Sequence, residues 1–153
     1  MADDVILNKA DTIEKCIARI HEEFVGLPEN LTGNQTKQDS IILNLERACQ
    51  AAIDMAMRRV KLGGLGLPKE SRDAFDLLEK AGIIDSDLCG KMHGLVGFRD
   101  TATHNYKALD LRIVESIIRN HLDDFRALAR VLIMPAANPA LQGGVKSADG
   151  GAV

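Results

Sequence analysis

Apolar residues recur three or four positions apart over most of the chain, the spacing of one face of an α-helix. Ile6, Ala10, Ile13, Ile17, Ile20 and Phe24 form the first such stripe. Gly26, Pro28 and Gly33 then punctuate a polar loop, and a longer stripe runs through Ile42, Leu45, Cys49, Ala52 and Ala56. That second helix is expected to stop in the glycine-rich residues 61–66, ahead of Leu67 and Pro68. A short helix carrying Ala74, Leu77, Leu78 and Ala81 follows and ends near Gly82. Asp85 or Ser86 can cap the next helix, because a short side-chain oxygen there accepts from an orphan backbone N–H. This helix holds Leu88, Met92, Leu95 and Val96 and runs into residues 98–104. The last stripe, Leu111, Val114, Ile118, Leu122, Phe125, Leu128 and Leu132, reads as one helix capped by Asp110.

Four main helices and one short one, joined by modest loops, predict an all-α fold, an up-and-down helical bundle over residues 1–135. Residues 136–153 are half Ala and Gly, with Asn, Gln and Ser among the rest and no periodicity, and are expected to form a disordered tail. No internal repeat is present. Composition agrees with the helical reading: hydrophobic residues make up 46% of 153, aromatics only 3% and Trp is absent, so aliphatic side chains must fill the interior.

Nineteen Lys and Arg stand against 22 Asp and Glu, for a net charge of −3. A general electrostatic binder of nucleic acid is strongly basic, and this chain is not. A nuclease with locally gathered cations remains open. Cys16, Cys49 and Cys89 are few and scattered, which argues against a disulfide framework. With no membrane span and no signal-peptide pattern at Met1–Asp4, the chain is expected in the cytoplasm.

The chemistry gathers in residues 99–106. Arg99 lies four after Leu95, seven after Met92 and eleven after Leu88, so it continues an apolar stripe. A guanidinium in that line must find acceptors, which predicts a polar cleft or a subunit interface there. Tyr106, seven further on, falls on the same line if the helix persists. His104, five after Arg99, is roughly 140° around the helix from it. Asp100, four before His104, is placed to hydrogen-bond its ring. Arginine, histidine, a carboxylate and a phenol suit metal-free cleavage of a phosphodiester, in which histidine moves protons and arginine holds the phosphate. The same residue types near a helix end also cap carbonyls and pair with acids.

Other positions carry weaker signals. Cys89 and His93 are four apart and could supply two metal ligands, but no second ligand pair is visible, so no metal is expected. Gly90, Gly94 and Gly97 weaken their helix and would be explained by close approach of another helix, or by a loosened segment. Arg58, Arg59 and Lys61 read as a solvated basic helix end, with an RNA-contacting patch as the alternative. His21 and His121 show no partner pattern and are expected at the surface or at helix ends. Asp39 and Arg47 are expected in pairs within the bundle or at an interface.

Arg99, four residues, His104, one residue and Tyr106 match the Arg-x-x-x-x-His-x-Tyr motif of HEPN ribonucleases. Residues 38–49 (QDSIILNLERAC), 65–68 (LGLP), 73–78 (DAFDLL) and 97–100 (GFRD) also resemble the HEPN toxins paired with minimal nucleotidyltransferase antitoxins, so the resemblance covers roughly residues 4–133. It implies a homodimer with two motifs facing each other across a composite cleft. It implies RNA cleavage without a metal or cofactor, with the ribose hydroxyl as nucleophile and Arg99 and His104 as catalytic residues. Asp100 stands where the family often has Asn, which adds negative charge beside the phosphate site. Asp100 and Tyr106 are supporting residues. The resemblance further implies that the antitoxin, a nucleotidyltransferase, moves AMP from ATP onto Tyr106, placing a charged nucleotide at the cleft mouth. The alternative is a non-catalytic HEPN subunit that binds nucleotide or substrate for a partner nucleotidyltransferase.

Overall fold

A computed structural model describes residues 2–134. Within them the chain forms seven α-helices: α1 (Asp4–Phe24), α2 (Glu29–Thr32), α3 (Gln35–Gly63), α4 (Ser71–Lys80), α5 (Ser86–His104), α6 (Leu111–Asn120) and α7 (Leu122–Ile133). A one-turn 3-10 helix, Tyr106–Ala108, follows α5. The expected disordered tail lies outside the described residues. No described helix is long and apolar enough to cross a membrane.

Residue pairings fix the topology. Asp3, just before α1, holds Arg58 near the end of α3 at 2.9 Å, while Glu23 near the end of α1 faces Lys37 near the start of α3 at 3.9 Å. These two long helices are therefore antiparallel. Their shared face is Ile13, Ile17 and Ile20 against Leu45, Ala48, Ala52 and Ala56, all buried. The run of alanines on α3 lets the two backbones approach closely. Phe75 and Leu78 of α4, Met92 and Leu95 of α5, and Phe125, Leu128 and Leu132 of α7 complete one continuous core around α3.

Local chemistry sets the helix ends. Asp3 accepts from the Val5 and Ile6 N–H groups, Asn34 from Lys37, Asp85 from Leu88 and Asp110 from Arg112. Gly64, at φ 60°, ends α3 in a left-handed turn in which the N–H groups of Gly64 and Leu65 reach back to the carbonyls of Lys61 and Val60. Cys16, Cys49 and Cys89 are all free thiols, and all are buried.

Two elements depart from the expected pattern. Residues 29–32 form a single helical turn inside what reads as a polar loop. The last stripe is not one helix but two, interrupted at His121 (φ −126°, ψ 0°). Its ring Nδ1 meets Asp124 Oδ2 at 2.8 Å, so the expectation that His121 has no partner is corrected by a carboxylate three residues on. The interruption leaves Leu122 in line with Ile118 and Phe125, so the apolar spacing passes through it unmarked.

Candidate active site

Arg99 sits one turn before the end of α5, its side chain 21% exposed. Its guanidinium finds the acceptors that its position in an apolar stripe demands. Nε donates to Asp100 Oδ1 at 3.0 Å, Nη1 to Gln50 Oε1 at 2.5 Å and Nη2 to Ser71 Oγ at 3.3 Å. Nη2 also lies 2.9 Å from Asp100 Oδ1. A guanidinium has five N–H donors. Three of these contacts are hydrogen bonds, which fix its plane and leave a donor on Nη1 without an acceptor among the described residues.

The end of α5 is tied to α3 rung by rung. Gln50 holds Arg99, Glu46 Oε2 accepts from Thr103 Oγ1 at 2.5 Å, and Asp39 Oδ1 accepts from Tyr106 Oη at 2.6 Å. Residue numbers fall along α3 as they rise along α5, so the two run antiparallel. Asp39, Glu46 and Gln50 are seven and four apart, one stripe on the face of α3 away from α1. Asp39 is expected in a pair; Glu46 and Gln50, together with Ser71 at the start of α4, are the part of the site that sequence reasoning missed. Their only local signal is helical spacing from Asp39.

Helix α5 stops at His104. Asn105 adopts φ −150° and ψ 59°, donates to the Thr101 carbonyl at 2.8 Å and turns the chain into the 3-10 helix that carries Tyr106. Tyr106 is 40% exposed, and its hydroxyl is pushed up to about 12, first by desolvation of the oxygen and then by the Asp39 carboxylate. His104 is exposed beside it. The expected bond from Asp100 to the His104 ring is not formed, because the Asp100 carboxylate is taken by the guanidinium one residue before it. Arg99, Asp100, His104 and Tyr106 thus share one end of the bundle, with Arg99 recessed and His104 and Tyr106 at the surface.

Several of the weaker signals resolve differently. Arg58 is not a solvated cation: it holds the Asp3 carboxylate through Nε and Nη2. Arg59 is buried, and only Lys61 of the three is exposed. Asp39 does make a pair within the bundle, with Tyr106. Among the described residues Gly90 and Gly94 have no close neighbour on another helix, since a Cβ at either would meet nothing within 4 Å. Gly97 does have a close neighbour, Arg72 Nη2, 3.0 Å from where its Cβ would be. Cys89 and His93 gain the second-helix partner that the sequence did not reveal, Asp76 of α4.

The family model described as "Ribonuclease HepT-like" matches residues 13–132. This chain belongs to that family. The mRNA nuclease HepT of Shewanella oneidensis is 39% identical to the HepT-like chain over 130 residues, covering 85% of the chain and 97% of the relative. Among solved structures, a toxin–antitoxin complex with AMP-PNP superposes with a TM-score of 0.80 at 38% identity, over 85% of this chain and 98% of that one. A tri-AMPylated Shewanella oneidensis HEPN toxin in complex with its MNT antitoxin also gives 0.80, at 39% identity over 85% and 97%. The HepT-like fold is therefore the all-helical HEPN bundle seen in these toxin–antitoxin structures.

Proposed function

We propose that this chain is the RNA-cleaving toxin of a HEPN toxin–antitoxin pair, with Arg99 and His104 as catalytic residues and Tyr106 as the residue its nucleotidyltransferase antitoxin adenylylates. The observation that carries this is the state of Arg99: a recessed guanidinium fixed in plane by Gln50, Ser71 and Asp100, with one donor to spare, one turn from an exposed histidine and phenol. The relatives that cut mRNA or carry AMP share this fold over nearly their whole length.

In this reading the ribose 2′-oxygen bonds to phosphorus, its proton passes to a histidine, and the bond from phosphorus to the 5′-oxygen breaks as that oxygen gains a proton. The products are a 2′,3′-cyclic phosphate and a 5′-hydroxyl. Arg99 holds a non-bridging oxygen as charge builds on it. No metal is required, because the guanidinium supplies the positive charge, and cleavage is expected to continue in chelator. One imidazole cannot act as base and acid in the same step, so a dimer that pairs two His104 side chains completes the site. Support for such a dimer comes from α5, where Gly90, Gly94, Gly97, Thr101 and His104 follow one another four and three apart, a single stripe ending at the histidine. A groove of about 260 Å³ lined by Gly94, Leu95, Ile113, Ile117 and His121 runs beside it.

Gly94→Ala separates the two demands on that stripe. A methyl group there meets nothing within 4 Å among the described residues, so α5 gains about 0.5–1 kcal/mol of helix stability. Against a second copy the same methyl weakens packing. Equilibrium unfolding of dilute protein is expected to show a gain, and light scattering a larger dimer dissociation constant; unchanged dimer affinity would remove the stripe from the interface.

The function itself is tested by induced expression without the antitoxin. Growth arrest is expected for the wild type and relief for both Arg99→Ala and His104→Ala. A wild type without effect on growth would favour the non-catalytic subunit that binds nucleotide or substrate for its partner.

A further inference from the structure

Helices α4 and α5 also run antiparallel, since Ser71 faces Arg99 at one end and Asp76 faces His93 further along. Away from Arg99 the pair brings together side chains that ligate metals. Asp76 stands on α4, and Cys89 and His93 are four apart on α5. His93 Nε2 lies 2.8 Å from Asp76 Oδ1. Cys89 Sγ lies 3.5 Å from that oxygen and 3.7 Å from His93 Nε2.

We propose that Asp76, Cys89 and His93 form a binding site for one zinc-class divalent ion, with water as the fourth ligand, fastening α4 to α5. The geometry is close to what such an ion needs. Tetrahedral zinc with bonds of about 2.3 Å to sulfur and about 2.0–2.1 Å to nitrogen and oxygen sets its ligand atoms roughly 3.3–3.6 Å apart. The Cys89–Asp76 edge at 3.5 Å already has this length, the Cys89–His93 edge at 3.7 Å needs to close by about 0.1 Å, and the His93–Asp76 edge needs to open by roughly half an ångström. A thiolate, an imidazole and a carboxylate suit zinc and its neighbours rather than magnesium or calcium, which take oxygen alone.

A plain His93–Asp76 ion pair accounts for one edge only. It does not account for a buried thiol brought within 3.7 Å of both members of that pair. A bound dication would take the thiolate, the imidazole and the carboxylate together as ligands. On binding, Sγ–zinc, Nε2–zinc and Asp76 Oδ1–zinc bonds form, the thiol proton leaves to solvent, and the Nε2 proton that His93 gives to Asp76 moves to Nδ1. No electron is transferred. Cys89 gives the site a dry floor, and Asp76 and His93 stand at an open mouth. The ion would lie six or more residues of α5 from Arg99, roughly 9 Å of helix rise. It takes no part in the RNA chemistry, although α4 also carries Ser71 to Arg99.

The test uses tag-free full-length protein, stripped with chelator under reducing conditions and titrated with Co²⁺. One equivalent is expected to produce a thiolate-to-cobalt charge-transfer band and the intense visible bands of a tetrahedral site. Zinc should displace both and raise Tm. Cys89→Ser is expected to lose the charge-transfer band, and Asp76→Asn, at an exposed position, to weaken binding at least ~10-fold while circular dichroism stays that of the parent. Absence of the band in wild-type protein at one equivalent, or its survival in Cys89→Ser, overturns the site. The spectrum is read without RNA, so it stands or falls independently of the ribonuclease reading.

Discussion

Arg99→Ala will lower the rate of RNA cleavage by about 10²–10³, the loss of roughly 2.7–4 kcal/mol that follows removal of one preorganised donor to a developing oxyanion. The change should fall on kcat more than on KM, because the guanidinium is already fixed and its remaining donor gains most as charge builds on the phosphate. His104→Ala is expected to cost about 10²–10⁴ by removing the proton carrier. Arg99→Lys is the sharper control. It keeps the charge but cannot reach Gln50, Ser71 and Asp100 together, so it should behave more like Ala than like Arg. Single-turnover cleavage of a short RNA, alongside far-UV circular dichroism, checks all three. Full activity in Arg99→Lys would mean that the fixed plane of the guanidinium contributes nothing.

Tyr106→Phe will abolish AMP addition by the antitoxin and ATP, and Asp39→Asn will slow it about 10²-fold. The argument rests on the phenol's proton. With its hydroxyl pushed up to about 12, Tyr106 is almost wholly neutral at physiological pH, so the bond to the α-phosphorus can form only as that proton leaves. Asp39 Oδ1 is already its acceptor at 2.6 Å, and pyrophosphate carries away the displaced charge. Asparagine keeps an oxygen to accept the hydrogen bond but has no basicity. Intact mass, followed in time, separates the two variants: no addition to the first, delayed addition to the second. Unchanged kinetics in Asp39→Asn would assign the proton to a group of the antitoxin.

How much of this the sequence carries depends on the range of each contact. Local periodicity was enough for the main helices, and Asp85 and Asp110 were legible as caps because a cap acts on residues two or three away. Arg99 was legible as a cation in need of acceptors because its own stripe is apolar. Which acceptors was not legible, since Gln50 and Ser71 lie 49 and 28 residues earlier and no spacing rule links them to Arg99. The same limit applies to Asp3 with Arg58 and to Asp76 with His93, each joined only by packing of separate helices. Two other differences have local causes. His121 breaks the last helix without breaking its apolar spacing, and the expected Asp100–His104 bond is lost to a neighbouring guanidinium that competes for the same carboxylate.

The placement of the three thiols has a practical meaning. None is more than 5% exposed, and burial raises each of them above the ordinary thiol range. Alkylating reagents attack thiolates and need access, so the native fold presents them with almost nothing to react with. Labelling proceeds instead through transient opening of the bundle, at a rate set by how often it opens. Cys16 on α1, Cys49 on α3 and Cys89 on α5 thus serve as built-in timers on three different helices. Their relative labelling rates distinguish a bundle that opens as a unit from one that releases α5 first.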